Sequence, residues 1–253
     1  MRNLTLLLTI GLGVFVLSGV GTARDASVYG AKGYTSLFNG EDLSGWIVPE
    51  GDNGHWSVID GVIDYDARSE AEGDKSLWTE KKYHDFELHI EWRFKGYGDH
   101  LFSRPIILPS GDLARDADGN VVRELVPNSD SGILLKGVGQ TNLWCWPVGS
   151  GELWSVRNNK DLPPKVRAAA VPKENADQPV GEWNAFDIIV KGERITVINN
   201  GITVIDNAPY PGLDVEGRIG LQHHGGIHPD TGKLRGASSL VQFRNIWIKE
   251  LDE

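Results

Sequence analysis

The most regular pattern in the chain is an alternation of apolar and polar residues over positions 85–94. Successive side chains of a β-strand point to opposite faces of a sheet, so this spacing predicts a strand with one apolar face and one ionisable face. The apolar members are Phe86, Leu88, Ile90, Trp92 and Phe94, and the ionisable members are Glu87, His89, Glu91 and Arg93. In a second unit, 194–206, β-rich runs flank Asn200-Gly201, which favours a type I′ hairpin turn.

Further short runs rich in β-branched and aromatic residues predict about a dozen strands in all. Turn residues separate them, including 31 glycines and 12 prolines, and no run after position 23 supports a helix of ten or more residues. The additional predicted strands are 56–59, 62–65, 133–136, 153–156, 185–191, 218–222 and 240–249. Many strands without crossover helices predict an all-β fold, a jelly-roll β-sandwich of two antiparallel sheets.

The first 23 residues have the layout of a secretory signal peptide. Arg2 precedes an apolar run over 4–20, and small residues at 21–23 offer a cleavage site. A retained membrane anchor is the alternative, but the run of about 17 residues is short for a span. We therefore predict cleavage, an N-terminal extension over 24–33, a single sandwich domain over 34–253, and a secreted or periplasmic protein without a membrane span.

The chain is acidic, with a formal net charge of −10 from 35 acidic and 25 basic residues. This charge argues against nucleic acid and anionic membrane as partners and is consistent with a neutral ligand. Cys145 is the single cysteine, so no internal disulfide can form. Its position between Trp144 and Trp146 in a strand-like run favours a packed, inert thiol over a catalytic one.

Two long segments, 95–128 and 158–181, interrupt the rhythm of short strands. Long loops on a rigid sandwich often carry binding sites, although surface decoration is an equal alternative. Within the first segment, residues 116–120 resemble a calcium loop. Pro127 stands at the twelfth position, where an EF-hand has glutamate, so a plain turn is predicted.

Six phrases along the chain together resemble one family. They are Ser-Leu-Phe-Asn-Gly-Glu-Asp-Leu-Ser-Gly-Trp at 36–46, Asp-Phe-Glu-Leu at 85–88, Asn-Ser-Asp-Ser-Gly-Ile at 128–133, Gly-Glu-Trp-Asn at 181–184, Gly-Arg-Ile-Gly-Leu-Gln-His-His-Gly at 217–225 and Val-Gln-Phe-Arg-Asn-Ile at 241–246. Their content and order resemble the 3-keto-disaccharide hydrolase family, formerly a domain of unknown function. The resemblance covers residues 34–251.

The resemblance implies a concanavalin A-like sandwich that cleaves glycosides carrying a ketone at C3 of the sugar. The ketone acidifies the hydrogen at C2, so the chemistry needs a base near C2, positive charge or donors near the C3 oxygen, and an acid for the leaving group. No nucleophile is required. The chain departs from the family pattern at 142–147 and in the insertion at 95–127, which leaves the substrate open.

The catalytic candidates are Glu91, His224, Arg244 and Glu87. Glu87 and Glu91 lie four residues apart on one strand, hence about 13 Å apart. An inverting glycosidase needs roughly 6.5–9.5 Å between its carboxyl groups, so these two are not such a pair. His224 can act as acid or base near neutral pH, and Arg244 can hold an enolate oxygen. A solvated outer face and a structural ion pair are the alternative interpretations.

The substrate-binding candidates combine polar residues of the family phrases with aromatic residues suited to stacking on a sugar. They are Trp144, Trp146, Trp154, Gln222, Arg93, Asn128, Ser131 and His223. Core packing is the alternative for the tryptophans, and turn geometry is the alternative for Asn128 and Ser131. Neighbouring histidines on a strand point apart, so the His223-His224 pair is a weak metal signal, and a divalent cation stays an open expectation.

Two functions follow from these candidates. The first is an enzyme that acts on 3-keto-glycosides by C2 deprotonation, elimination and hydration. The second is a non-catalytic, lectin-like module that binds carbohydrate. The ionisable face of 85–94 favours the enzyme, because a lectin needs fewer titratable groups. In both cases the partner is a small-molecule carbohydrate.

Overall fold

The computed structural model describes residues 28–97 and 101–252, and β-strands dominate this part of the chain. The strands are β1 (Thr35–Ser36), β2 (Trp46–Ile47), β3 (Trp56–Ile59), β4 (Val62–Tyr65), β5 (Leu77–Tyr83), β6 (Phe86–Phe94), β7 (Phe102–Pro105), β8 (Arg123–Val126), β9 (Asp130–Leu135), β10 (Gly139–Trp144), β11 (Asn184–Lys191), β12 (Arg194–Asn199), β13 (Ile202–Pro209), β14 (Gly217–Leu221) and β15 (Val241–Glu250). The predicted all-β sandwich of antiparallel sheets is confirmed. The predicted signal peptide lies outside the described residues.

The larger sheet has the order β13-β12-β11-β6-β15-β4-β3, with β1 paired to β15. Strand β6 lies at its centre, and the predicted alternation holds: the five apolar side chains of β6 are buried in the core. On the opposite face His89 is also buried, because the helical turn at 28–31 brings Tyr29 against its ring. The N-terminal extension therefore covers part of the outer face of this sheet.

The smaller sheet has the order β10-β9-β14-β5-β2, and the hairpin β7-β8 stands apart from both sheets. Apolar side chains of β9, β10 and β14 point inward and join those of the larger sheet in one core. Side chains at alternate positions point away from this core. The outer face of the smaller sheet is therefore free to carry polar groups.

Two short helices follow β10, and the first replaces a predicted strand. The predicted strand at 153–156 is wrong, because helix α1 (Trp154–Asn158) occupies this position. Leu153, Val156 and Arg157 are buried, which is the spacing of a helix face rather than a strand. Helix α2 (Pro164–Ala169) lies in the long segment 158–181. Its 6 residues agree with the prediction of no helix of ten or more, and it begins at a proline, which suits a helix start.

The predicted turns hold. Asn200 and Gly201 have φ angles of 51° and 82° between β12 and β13, as a type I′ turn requires. Asp116 accepts hydrogen bonds from the backbone nitrogens of Asp118 and Asn120, so 116–120 is a plain turn. None of the helices in the described ranges is long and apolar enough to cross a membrane.

Candidate functional site

A cleft of about 690 Å³ opens on the outer face of the smaller sheet. Its walls come from β5, β9 and β10, from the hairpin residue Arg104, from the start of α1 and from the loop after β14. Five of the sequence candidates line it. They are Trp144, Trp146, Trp154, Gln222 and His224. The cleft therefore combines aromatic side chains with polar and titratable groups.

Asp130 is the carboxylate of this cleft, at the start of β9. Its register partner on the neighbouring strand is Trp144, which is almost completely buried. Burial raises the pKa of the Asp130 carboxyl to about 6, against the opposing attraction of His224 and Arg104. A carboxyl with a pKa near the working pH is suited to take up and release a proton.

Arg104 reaches the cleft from strand β7, within the segment that interrupts the strand pattern. Its Nη2 donates a hydrogen bond to the side-chain oxygen of Asn128, and its guanidinium lies 4.9 Å from the centre of the Trp146 ring. The Nε atom is buried without a hydrogen-bond partner among the described residues. The cleft thus contains a positioned cation near Asp130.

His224 is held by its backbone and by one ring nitrogen. Its Nδ1 lies 2.6 Å from the carbonyl oxygen of Ala237 and must donate there, because a carbonyl only accepts. In the neutral ring Nε2 is then the acceptor. Ser239 accepts a hydrogen bond from the His224 backbone and donates one to the Asp130 carbonyl, at 2.7 Å each. This serine ties the two titratable residues of the cleft together.

A chain of amides crosses the floor of the cleft. Gln222 donates to the side-chain oxygen of Gln140 at 3.0 Å, and Gln140 donates to that of Asn142 at 2.6 Å. Because Gln222 uses its amide nitrogen for this bond, its Oε1 atom is a buried acceptor without a partner among the described residues. Gly132 makes room for it, since a Cβ there would lie 3.0 Å from this oxygen. The amides are thus fixed in orientation and suited to sugar hydroxyl groups.

The three candidate tryptophans have different environments. Trp144 and Trp146 stack on each other, with ring centroids 4.3 Å apart, rather than forming one flat platform. Strand β10 ends at Trp144, so Trp146 lies beyond the strand that was expected to carry both. Trp154 at the start of α1 is 47% exposed and offers an open ring face. Between the first two, burial raises the pKa of the Cys145 thiol to about 11, consistent with an inert thiol.

Four of the charged candidates lie on the other side of the sandwich, on the outer face of the larger sheet. The Arg244 Nε atom lies 2.6 Å from a Glu91 carboxylate oxygen, and its guanidinium stacks 4.0 Å from the Trp183 ring centre. The Arg93 guanidinium lies 4.5 Å from the centre of the same Trp183 ring. The Glu87 carboxylate accepts a hydrogen bond from the Tyr34 hydroxyl. The expected meeting of Glu91 and Arg244 with His224 at one site is therefore wrong, because the core separates them.

The remaining polar candidates hold the structure around the cleft. Ser131 points inward, and its hydroxyl donates a hydrogen bond to the Gln222 carbonyl at 2.8 Å. This bond connects β9 to the residue that follows β14. Asn128 is buried and holds Arg104. The His223 Nδ1 atom lies 2.6 Å from the Tyr65 hydroxyl, and burial lowers the pKa of His223 to about 4. His223 is therefore neutral at physiological pH.

One group of possible metal ligands occurs in the described ranges, and it lies away from the cleft. His84, Asp85 and Asp214 have ligand atoms within 4.8 Å of one another. Each ring nitrogen of His84 lies 3.3 Å from a carboxylate oxygen, so the histidine already bridges the two acids. The expectation of a divalent cation stays a prediction.

Residues 33–249 match the family model described as a 3-keto-alpha-glucoside-1,2-lyase-like domain. This match covers most of the chain. The chain belongs to this family. The resemblance carried by the six phrases is thereby confirmed, and membership of the 3-keto-alpha-glucoside-1,2-lyase-like family supports a role in carbohydrate chemistry. No curated protein matches the sequence significantly.

Solved structures similar to this family member share its fold. Two are from Parabacteroides distasonis ATCC 8503, and both are provisionally named glycosyl hydrolases. One is 24% identical, with 87% of this chain and 84% of that chain covered and a TM-score of 0.51. The other is 21% identical, with 89% and 97% covered and a TM-score of 0.53. At these identities the likeness establishes the β-sandwich.

Sequence reasoning missed Asp130, Arg104 and Gln140, which the cleft brings together. Asp130 belongs to the phrase at 128–133, and its position among family residues could have singled it out. Arg104 had no such signal, because it lies in an irregular insertion whose hairpin geometry a periodicity cannot predict. Gln140 was also missed, because its role depends on the amide chain across three strands.

Proposed function

We propose that this protein is an exported enzyme that cleaves glycosides oxidised to a ketone at C3, and that the cleft on the smaller sheet is its active site. The observation that carries the proposal is the grouping of Asp130, His224 and Arg104 in one cleft. Family membership supplies the reaction class, and the cleft supplies the three kinds of group that this reaction needs.

In the first step Asp130 is the base. Its carboxylate takes the proton from C2 of the keto-sugar, and the electron pair of the C–H bond moves to form an enolate at C2–C3. Arg104, which is attracted to the Asp130 carboxylate, is the cation next to the developing charge on the C3 oxygen. Because C2 and C3 are adjacent atoms, the reaction requires its base and its cation to lie close together. Charge stabilisation of this kind commonly dominates catalysis.

In the second step the enolate collapses and the glycosidic bond breaks. The carbonyl at C3 re-forms, a double bond forms between C1 and C2, and the C1–O bond releases its electron pair to the leaving oxygen. His224, in its imidazolium form, donates the Nε2 proton to that oxygen and becomes neutral, while Nδ1 stays bonded to Ala237. Water then adds its hydroxyl to C1 and gives its proton to His224, and Asp130 returns its proton to C2, which restores both groups. The sum of these steps is hydrolysis.

Binding of the sugar is assigned to the amides and tryptophans. Gln222, Gln140 and Asn142 present oriented donors and acceptors to the hydroxyl groups of the ring. Trp154 offers an exposed ring face at the wall of the cleft, which Trp146 also lines. Such a mixture of a few placed polar groups and aromatic walls is typical of small-molecule sites.

A non-catalytic binding module is the second candidate, and the same amides and tryptophans favour it. The two candidates differ in the need for Asp130, because sugar binding does not need a carboxyl with a raised pKa.

The experiment that separates them incubates the purified protein with a 3-keto-disaccharide and with its unoxidised parent, each with and without chelator. Release of monosaccharide from the keto form alone supports the enzyme. Binding without release contradicts it. Loss of activity with the chelator, restored by added cation, would support the predicted divalent cation.

Export is proposed from the signal-peptide layout of residues 1–23. The test is expression of the full chain in a bacterial host, followed by determination of the N-terminal residue of the product outside the cytoplasm. An N-terminus at Arg24 is expected. A product that keeps Met1 and stays with the membrane fraction would contradict export by cleavage.

A further inference from the structure

A second groove, of about 490 Å³, adjoins the cleft on the same face of the smaller sheet. Trp78 and Gly137 line both cavities, so the two meet at these residues. The groove extends toward the ends of β5 and β14, where Lys82 and Arg218 line it. A saccharide that leaves the cleft past Trp78 therefore enters this groove.

Two cations face each other across the groove. Lys82 and Arg218 are direct register partners on β5 and β14, and both line the cavity. Like charges directly opposite on antiparallel strands destabilise a sheet. Among the described residues neither has a carboxylate oxygen within the 4.0 Å of an ion pair, and the Nε atom of Arg218 is buried without a hydrogen-bond partner.

Other charged groups nearby do not neutralise this pair. Glu216 lies at the rim, where its side chain is exposed and forms no ion pair with the described cations. Lys136 is turned away, since its Nζ donates to the Leu213 carbonyl at 3.0 Å and lies 3.8 Å from Asp85. By contrast Lys81, next to Lys82, pairs with Glu250. In a chain with 35 acidic residues, two facing cations without a carboxylate partner indicate a ligand that supplies the charge.

Trp78 supplies a sugar-sized surface between the two cavities. Its ring lies across Gly220, where an added Cβ would be 2.8 Å from the ring atom Cε3. Its Nε1 donates to Asp74 at 2.7 Å, which holds the ring in this orientation. Only a residue without a side chain at position 220 allows this close approach. The groove thus has an aromatic face and, beyond it, two cations.

We propose that this groove is a subsite for an acidic sugar residue, whose carboxylate binds between Lys82 and Arg218. The inference rests on the proposed function, because the cleft would hold the rest of the same saccharide. Arginine recognises carboxylate through paired donors, and lysine adds a second charge-assisted hydrogen bond. The substrate class is then an oligosaccharide that contains a uronic acid next to the residue that is cleaved.

The test measures binding by calorimetry, without any turnover. The probes are a glucuronic acid–glucose disaccharide and the glucose–glucose disaccharide of the same linkage, each titrated into the mature protein. We expect the acidic disaccharide to bind roughly tenfold more tightly, with a preference that falls as salt is added. Lys82→Gln and Arg218→Gln should each remove most of the preference, whereas the control Lys81→Gln should keep it.

A second measurement guards against misfolded variants. Lys82→Gln relieves the repulsion from Arg218, so its melting temperature without ligand should be equal to or above that of the wild type. Arg218→Lys keeps the charge but loses the paired donors, and should bind the acidic disaccharide with intermediate affinity.

Equal affinity for the two disaccharides, a preference that survives both variants, or no binding of either would each overturn the subsite. Its failure is separable from that of the proposed function, which is tested by turnover of the neutral 3-keto-disaccharide. Turnover without an acidic preference overturns the subsite alone. An acidic preference without turnover supports the subsite and contradicts the enzyme.

Discussion

Replacing Asp130 by asparagine removes the carboxylate opposite Trp144 with almost no change in side-chain volume. If Asp130 is the base that takes the C2 proton, kcat/KM on a 3-keto-disaccharide should fall by about 10²–10⁴-fold, the usual contribution of a general base. The wild-type rate should rise with pH through about 6, because only the ionised carboxylate accepts a proton.

The same substitution should stabilise the fold, and the structure sets the size of the effect. Burial raises the pKa of Asp130 from 3.8 to about 6. Ionisation of this carboxyl therefore costs more free energy in the folded chain than in the unfolded chain. Below about pH 3 the carboxyl is neutral in both states and the cost vanishes. Well above its folded pKa the cost reaches about 3 kcal/mol. Asp130→Asn should therefore raise the free energy of unfolding by up to about 3 kcal/mol at about pH 8, and by almost nothing near about pH 3.

The assay pairs initial rates with urea unfolding, each measured over the same pH range. Glu91→Gln is the matched control, because it removes a carboxylate from the opposite side of the sandwich. The control should keep the wild-type pH–rate profile. An Asp130→Asn protein with near wild-type kcat/KM would refute the role as base. A stability difference that does not change with pH would refute the argument from burial.

Four further variants test the division between the two faces. His224→Gln should slow cleavage about 10²-fold, with a smaller loss for a nitrophenyl leaving group, which needs no acid; an equal loss for both would contradict its role. Arg244→Met combined with Glu91→Gln should leave kcat/KM unchanged. The double variant should lose about 1 kcal/mol or less of unfolding free energy, because the ion pair is partly exposed. A large loss of activity would show that these residues take part in the reaction. Trp154→Ala should raise KM several-fold without lowering the melting temperature, since the ring is 47% exposed. Trp144→Ala should instead lower the free energy of unfolding by about 3–5 kcal/mol. An unchanged KM in the Trp154 variant would show that this ring does not contact the sugar.

The local patterns of the sequence predicted the strands well. The alternation over 85–94 needs only the two-residue period of a strand, and it became β6 with all five apolar side chains in the core. The turn at Asn200-Gly201 likewise depends on two residues that tolerate positive φ. The segment at 153–156 failed, because a short apolar run has too few residues to separate a period of two from a period of 3.6.

The site was only partly predictable for the same reason. Gln222 and His224 lie in a family phrase, and the cleft contains both. Glu91 and Arg244 lie in equally clear phrases, yet their side chains pair with each other beyond the core. A period of two shows that such residues point away from the core, but it does not show which outer face carries the cleft.

The sequence by itself thus determined the fold class, the family and the apolar face of each clear strand, because these depend on local spacing and on motifs read in order. The tertiary structure decided which polar groups meet. Asp130 acquires its raised pKa from burial where β9 pairs with β10, and Arg104 reaches the cleft through a hairpin outside both sheets. Such contacts join residues distant in sequence, and their energies arise from burial and register that no local pattern contains.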